Sequence, residues 1–158
     1  MKVLQISFFL FLFSSCEESA VDQTSSLKGI SKVTVDQKQF EITWENLQSD
    51  RQSSDPFKLK ALRHEDSILF IDVAYSGGCS THNFELVWPE VTTMIYPPRY
   101  TVVLMHGAND DSCEAYLSET LQFDLSKYEL GLSPDVIDIM DLTIINGSNP
   151  DESLKLNN

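Results

Sequence analysis

The sequence predicts an all-β protein, a single antiparallel β-sandwich that is immunoglobulin-like or similar and has about seven to eight strands. Apolar and polar residues alternate in many short segments, and turn-forming residues separate these segments. Short strands with turn signals between them are typical of two packed sheets. A chain of 158 residues has room for one hydrophobic core of ordinary size, so we place one β-sandwich domain at residues 28–147.

Two strand candidates open this domain. Short alternating patterns predict strands at residues 32–36 and 39–45. In the second candidate, Phe40, Ile42 and Trp44 alternate with polar residues, so we expect one face of that strand to be exposed to solvent.

The most apolar segment lies in the middle of the chain. The polar run 46–55 predicts a loop, and the strand candidates 57–61 and 67–75 follow it. Residues 67–75 are mostly apolar on both faces, which is typical of a strand at the centre of a structure. Gly77 and Gly78 then predict a turn or a bulge.

Two later strand candidates each carry a histidine at one end. The even positions from His82 to Trp88 predict a core-facing row in which His82 is the terminal residue. Tyr100 to His106 predicts the next strand, and His106 ends it in the same way. We expect both histidines to be hydrogen-bonded residues at sheet ends.

Residues 114–125 fit two kinds of structure. Asp111 and Glu114 have the spacing of a capping box, which would start a helix. Apolar residues nevertheless occupy alternate positions through the segment, and this pattern favours a strand.

The end of the chain predicts a change from strand to disorder. Residues 136–145 give one or two strands, which Asn146 and Gly147 end. The polar residues 148–158 predict a disordered tail.

The first residues are typical of a bacterial lipoprotein leader. Met1-Lys2 is a short positive region, and residues 3–13 are apolar but too few to span a bilayer as a permanent helix. Phe13-Ser14-Ser15-Cys16 resembles a bacterial lipobox, although Phe13 replaces the usual leucine. The resemblance implies a signal peptide at residues 1–15 and a lipidated, palmitate-bearing Cys16; the alternative is an ordinary secretory signal.

The segment after Cys16 bears on where the protein resides. Residues 16–27 contain little to bury, so they predict a flexible acidic tether behind the lipidated cysteine. Glu17-Glu18 resembles the surface-export signals of Bacteroidetes lipoproteins. We therefore expect an outer-membrane or cell-surface protein held in the membrane by its lipid, with a periplasm-facing placement as the alternative.

The charge of the chain excludes several classes of partner. The formal net charge is −13, and removal of the leader with Lys2 makes it one unit more negative. A balance this acidic argues against nucleic acid and against docking on anionic headgroups. We interpret the acidic residues as a solubilising surface rather than a cation site.

Cys79 and Cys113 predict a disulfide. If Cys16 carries lipid, these are the two remaining thiols, and an exported protein meets an oxidising environment. A bond between Cys79 and Cys113 closes a loop in the unfolded chain, and in the chain-entropy model a loop of that length stabilises the fold by roughly 3 to 4 kcal/mol.

A metal site is the main alternative. Cys79, His82, His106 and Cys113 together offer two thiolates and two imidazoles, which is enough for a tetrahedral zinc site. Only the first pair, Cys79-x-x-His82, has ligand-like spacing, so our preferred prediction requires no cofactor. A copper carrier is a weaker alternative, because Met105-His106 is the only adjacent pair of that kind.

Two further kinds of chemistry have partial signals. Calcium could use oxygen ligands in one loop, but the EF-hand spacing is absent; the candidates are Asn109, Asp110, Asp111 and Glu114. Cysteine catalysis would need a free thiol of low pKa beside a base, for which Cys79 and His82 are the formal candidates. Because no orienting partner or oxyanion motif is visible, we do not expect an enzyme.

Two motifs carry a resemblance that covers roughly residues 67–126. They are Gly77-Gly78-Cys79-x-x-His82-x-Phe84-x-Leu86 and Asp111-x-Cys113-Glu114-Ala115, followed by Phe123-Asp124-Leu125-Ser126. The pair resembles uncharacterised lipoproteins of Bacteroidetes and related bacteria. This resemblance implies no activity, so the sequence predicts a lipid-anchored binding or accessory module of the cell envelope whose ligand or protein partner it does not identify.

Overall fold

The structure, a computed structural model, describes residues 30–49, 51, 53–90 and 95–156. The predicted leader at 1–15 and the tether at 16–27, including Cys16, lie outside the described residues. Within them, the fold is eight strands with two helices and one 3₁₀ turn, so the all-β class is confirmed.

Eight strands lie in the described residues, joined by both short and long connections. Their bounds are β1 Ile30–Val35, β2 Lys58–Glu65, β3 Ile68–Gly77, β4 Asn83–Trp88, β5 Arg99–Gly107, β6 Ala115–Asp124, β7 Asp141–Asn146 and β8 Asn149–Lys155. The helices are α1 Gln37–Gln48 and α2 Pro134–Ile137, and the 3₁₀ turn is Tyr128–Leu130. The strand predicted at 114–125 is confirmed as β6.

The strands form two sheets, and one of them is mixed. The five-stranded sheet has the order β1-β4-β5-β7-β8, and the three-stranded sheet has the order β2-β3-β6. β1 pairs with β4, and β5 with β7, in parallel. The predicted antiparallel pairing is therefore wrong for these two strand pairs, whereas the other four pairs are antiparallel. Long connections, such as the one from β5 to β7 through the other sheet, let a strand return in the same direction.

The core lies between the two sheets. The alternation predicted from the even positions of β4 is confirmed, since Phe84, Leu86 and Trp88 are fully buried. Leu69, Ile71 and Val73 from β3, the central strand of the smaller sheet, pack in the same cluster. Burial of these large side chains supplies most of the driving force for the fold.

Helix α1 replaces the strand predicted at 39–45. Asp36 caps the helix by accepting a hydrogen bond from the Gln39 N–H at 2.8 Å. Thr43 and Leu47, four residues apart, are its buried positions, whereas Ile42 remains 44% exposed. Three alternating apolar residues were too short a pattern to exclude a helix, and Asp36 with Gln39 has the capping-box spacing that indicates one.

The end of the chain also differs from the prediction. Ser133-Pro134 begins the short helix α2, so only the later part of 136–145 is a strand. The predicted disordered tail at 148–158 is wrong for residues 149–155, which form β8 against β7. Gly147 and Ser148 form the two-residue turn of this hairpin, and Asn146 is the last residue of β7, so the domain continues beyond 147.

Membrane-spanning helices are absent from the residues described, since neither helix is long and apolar enough to cross a bilayer.

Candidate functional site

Two turns meet at one end of the molecule, where β3 and β5 finish and β4 and β6 begin. Cys79 in the first turn and Cys113 in the second form a disulfide whose Cα atoms are 5.8 Å apart. The pairing predicted from the two cysteines is confirmed. The bond fastens the connection from β3 to β4 onto the start of β6.

The carboxylate of Asp111 holds the same two turns together. Its Oδ2 accepts hydrogen bonds from three successive backbone N–H groups, those of Gly78, Cys79 and Ser80, at 2.8 to 2.9 Å. Its Oδ1 accepts one from the Cys113 N–H at 2.9 Å. Three successive N–H groups that point at one oxygen form an anion-binding concavity, which here is occupied by a side chain of the same chain.

These donors fix the charge of Asp111. The Cys113 N–H, followed by those of Ser80 and Cys79, holds the pKa of this carboxyl far below its usual range, against the opposing effect of burial. The side chain has no exposed surface. Asp111 is therefore a buried carboxylate anion that these hydrogen bonds stabilise.

His82 and His106 lie next to this carboxylate. They are 1% and 4% exposed, and their rings lie edge to edge, with planes 19° apart and centroids 5.0 Å apart. His82 Nδ1 is 2.7 Å from His106 Nε2, and His82 Nε2 is 3.1 Å from Asp111 Oδ2. The two strand-end histidines predicted from register are thus hydrogen-bonded to each other, and His82 is also hydrogen-bonded to the anion.

The segment before β2 covers the other side of His106. The carbonyl of Asp55 lies 3.2 Å from His106 Nδ1. Ser54 Oγ accepts from the His106 N–H at 2.9 Å, and the Asp55 N–H donates to the His106 carbonyl at 2.9 Å. The predicted polar loop therefore supplies specific partners to the end of β5.

Aromatic rings enclose the two imidazoles. Phe84 stacks on His106 with centroids 4.5 Å apart, and the ring of Tyr75 lies 4.5 Å from that of His82. The Tyr75 hydroxyl donates to Glu119 at 2.9 Å, and burial raises the pKa of Tyr75 well above its usual value. Burial has the opposite effect on a base, and it lowers the pKa of His106.

The glycine pair makes this packing possible. A Cβ at Gly77 would overlap the ring of His82, and it would also press on Asp111. Gly78 has a φ of 121°, a backbone conformation that favours glycine. The two glycines therefore permit the close approach of the turn to the imidazole and the carboxylate.

The four candidate zinc ligands do not come together as one set. The sulfurs of Cys79 and Cys113 are bonded to each other, so neither is a thiolate, and the imidazoles pair separately. Among the described residues, one group of three possible ligand atoms lies within 4.8 Å, and it consists of Cys79, Asp111 and Cys113. The structure thus brings Asp111, and not the histidines, to the sulfurs.

The other sequence-based candidates are also separated. Asp110 and Glu114, predicted as calcium ligands with Asp111, do not join the group around it. Met105 and His106 are neighbours on β5 and point to opposite faces, so they cannot converge on a copper ion. The candidate nucleophile Cys79 is held in the disulfide.

A cleft lies beside α1, on the face of the five-stranded sheet that points away from the core. Its volume is about 570 Å³. Ile42 and Asn46 from the helix form one wall, and Asn83 and Met105 from β4 and β5 lie on its floor. Sequence reasoning missed this cleft because it assigned residues 39–45 to a strand.

Comparisons with known proteins give only distant structural neighbours. No family model matches the chain, and no curated protein does so. A protein of unknown function, DUF1344, from Bacteroides vulgatus is 13% identical, with 83% of this chain and 56% of that protein aligned and a TM-score of 0.48. A toxin-related protein from Parabacteroides distasonis is 21% identical over 82% of this chain and 58% of that one, with a TM-score of 0.48.

A NigD-like immunity protein from Bacteroides caccae is 16% identical over 77% of this chain and 52% of that one, with a TM-score of 0.43. The chain spans little more than half the length of each of these three proteins. Similarity at this level assigns neither a family nor an activity.

The disulfide gives a direct prediction about stability. In denatured, unreduced protein, Cys79 and Cys113 should contribute no free thiol, and reduction should release two. Reduction should lower the free energy of unfolding by roughly 3 to 4 kcal/mol, because the unfolded chain regains conformational freedom.

Thiol titration and urea unfolding with and without reductant measure both quantities. The double variant Cys79→Ser with Cys113→Ser is the control, since reductant should leave its unfolding midpoint unchanged. Two reactive thiols at Cys79 and Cys113 before reduction would contradict the assignment.

Proposed function

We propose that this chain is a lipid-anchored protein of the cell envelope that binds a ligand in the cleft beside α1. It acts as a binding or accessory module rather than as an enzyme. The cleft is the observation that carries the binding role, and the leader and the disulfide support the location.

The envelope location follows from chemistry at two places in the chain. The order of positive charge, apolar run, small residues and Cys16 is what lipoprotein processing requires. The Cys79–Cys113 disulfide suits an oxidising compartment and would be unusual in a reducing one. Both features favour export followed by attachment to the outer membrane through the lipid.

The cleft has the size and composition of a ligand site. Small-molecule sites commonly occupy roughly 300 to 1,000 Å³ and combine apolar walls with a few polar groups. Here Ile42 and Met105 offer apolar surface, and the amides of Gln39, Asn46 and Asn83 offer hydrogen-bond donors and acceptors.

The charges at the cleft indicate an uncharged ligand. Lys32 and Glu85 both line it, and their Nζ and Oε1 atoms form an ion pair at 2.9 Å. Because each charge already has a partner, neither is left unpaired for a charged ligand. An uncharged, amphipathic molecule or peptide segment could instead use the amides and the apolar wall.

The disulfide region supports a role without catalysis. The sulfur of Cys79 has no thiol form while the bond is intact, and His82 and His106 are shielded from solvent. A base that reaches a substrate would need exposure that these two histidines lack.

The anchor is tested by replacing Cys16. The Cys16→Ala protein, expressed at full length in its native host, should fail to incorporate labelled palmitate and should lose its membrane association, because it has no thiol to acylate. Ser15→Ala keeps a small residue before the cysteine and serves as the control. If the Cys16→Ala protein remained membrane-bound and processed at the same position, the anchor assignment would be wrong.

The cleft is tested with two matched isoleucines. Ile42 is 44% exposed and lines the cleft, whereas Ile139 is 39% exposed and lies elsewhere. The small-molecule and peptide fractions of the native envelope should raise the melting temperature of the wild type. Ile42→Arg should abolish that shift, because the new charge and bulk occupy the mouth of the cleft, and Ile139→Arg should retain it.

Melting temperatures of the three proteins, with and without each fraction, provide the measurement. An equal shift in all three would place the binding site elsewhere on the molecule. If no fraction shifted the wild type, the chain would not be a receptor for an envelope ligand of this kind.

A further inference from the structure

The buried contacts around the two histidines require more protons than neutral rings can supply. Three contacts follow one another across the two rings. Asp111 Oδ2 lies 3.1 Å from His82 Nε2, and His82 Nδ1 lies 2.7 Å from His106 Nε2. His106 Nδ1 lies 3.2 Å from the carbonyl of Asp55. Both ends of this series are oxygen acceptors. Each of the three contacts therefore needs its own proton.

Two neutral imidazoles carry only two protons between them. With only two ring protons, one of the three contacts would place a ring nitrogen lone pair against an oxygen or against another nitrogen lone pair. An unsatisfied buried contact of that kind is costly, and both rings are almost fully shielded from water. Three protons satisfy every contact, and the third adds one positive charge.

We infer that His82 and His106 together hold three ring protons at neutral pH, so that His82 is an imidazolium ion and His106 is neutral. Both nitrogens of His82 then donate, one to Asp111 and one to His106 Nε2. His106 donates from Nδ1 to the carbonyl of Asp55. The site is a buried ion pair with no net charge, since the carboxylate of Asp111 balances the imidazolium.

The surroundings favour this placement of the charge. His82 lies beside the anion, whereas His106 lies against the ring of Phe84. The ring of Tyr75 faces His82 at 4.5 Å, a position that suits a cation over an aromatic face. Burial lowers the pKa of His106, in agreement with a neutral ring at that position.

The other ionisable groups nearby are already engaged. Asp55 accepts from the Ala108 N–H at 2.7 Å through its side chain, and it faces His106 through its carbonyl. Glu119 accepts from the Tyr75 hydroxyl, with that ring between it and the imidazoles. Asp111 is therefore the counter-ion that contacts the pair directly.

The consequence is a fold whose cysteine turns are fastened by a proton as well as by a disulfide. When the third proton leaves, one of the three contacts must fail, and Asp111 becomes a buried anion without a counter-ion. The end of the molecule that carries the disulfide should therefore loosen at alkaline pH.

Ring-nitrogen NMR tests the inference on the intact chain. The sequence has three histidines, so full-length protein in detergent micelles, labelled with ¹⁵N at histidine, presents six ring nitrogens. The His64→Asn variant removes the third histidine and so identifies the remaining four signals as those of His82 and His106. At pH 7 we expect three of these four nitrogens to be protonated, with His106 Nε2 the exception.

A count of two protonated nitrogens, or of four, would overturn the inference. Asp111→Asn provides a second measurement, because it keeps the shape of the side chain and removes the balancing charge. We expect two protonated nitrogens in that variant at pH 7. If three persisted in it, the carboxylate would not be what holds the charge.

Discussion

A buried carboxylate needs several hydrogen-bond donors, and the arrangement of this end of the molecule follows from supplying them to Asp111. Four backbone N–H groups and one imidazole surround its two oxygens. A side chain on the connection from β5 to β6 thus fixes the backbone of the connection from β3 to β4. Because the pKa of Asp111 is depressed in the fold, its stabilising contribution is present above the ordinary carboxyl pKa and is lost as the pH falls through the lower folded value.

Two other features depend on this arrangement. The disulfide joins the same two turns, so the covalent bond and the carboxylate restrict the same motion. The histidines can be buried only because the carboxylate and the Asp55 carbonyl provide partners for their outer nitrogens. Strands β4 and β5 have the histidine contacts on one face of the sheet. On the other face, the same two strands form the floor of the cleft. The Cys79–Cys113 end therefore provides a rigid support for the proposed binding surface.

Much of the β structure could be predicted because it rests on a short-range pattern. The even positions of β4 are apolar, and this period of two places Phe84 and Trp88 in the core whatever the rest of the chain does. The disulfide could be predicted because few cysteines were available. Helix α1 could have been found from Asp36 and Gln39, whose spacing is that of a capping box, whereas the short apolar alternation that follows favours a strand.

The rest depended on contacts between distant residues. The parallel pairing of β1 with β4 depends on the path of long connections between the sheets, so the local sequence pattern of either strand does not predict it. Asp111 looked like part of an acidic loop, since its role as an internal anion appears only when residues 78–80 approach it. Ser54, Asp55 and Tyr75 lacked any sequence signal for a place beside the histidines.

Amide hydrogen exchange tests most directly whether Asp111 fixes the two turns. The Gly78, Cys79, Ser80 and Cys113 amides lie in turns, where exchange is ordinarily fast. If the carboxylate holds them, they should exchange as slowly as strand amides such as that of Val103, and Asp111→Asn should speed their exchange while leaving Val103 protected. Fast exchange of these four amides in the wild type, at the rate of exposed loops, would contradict the account.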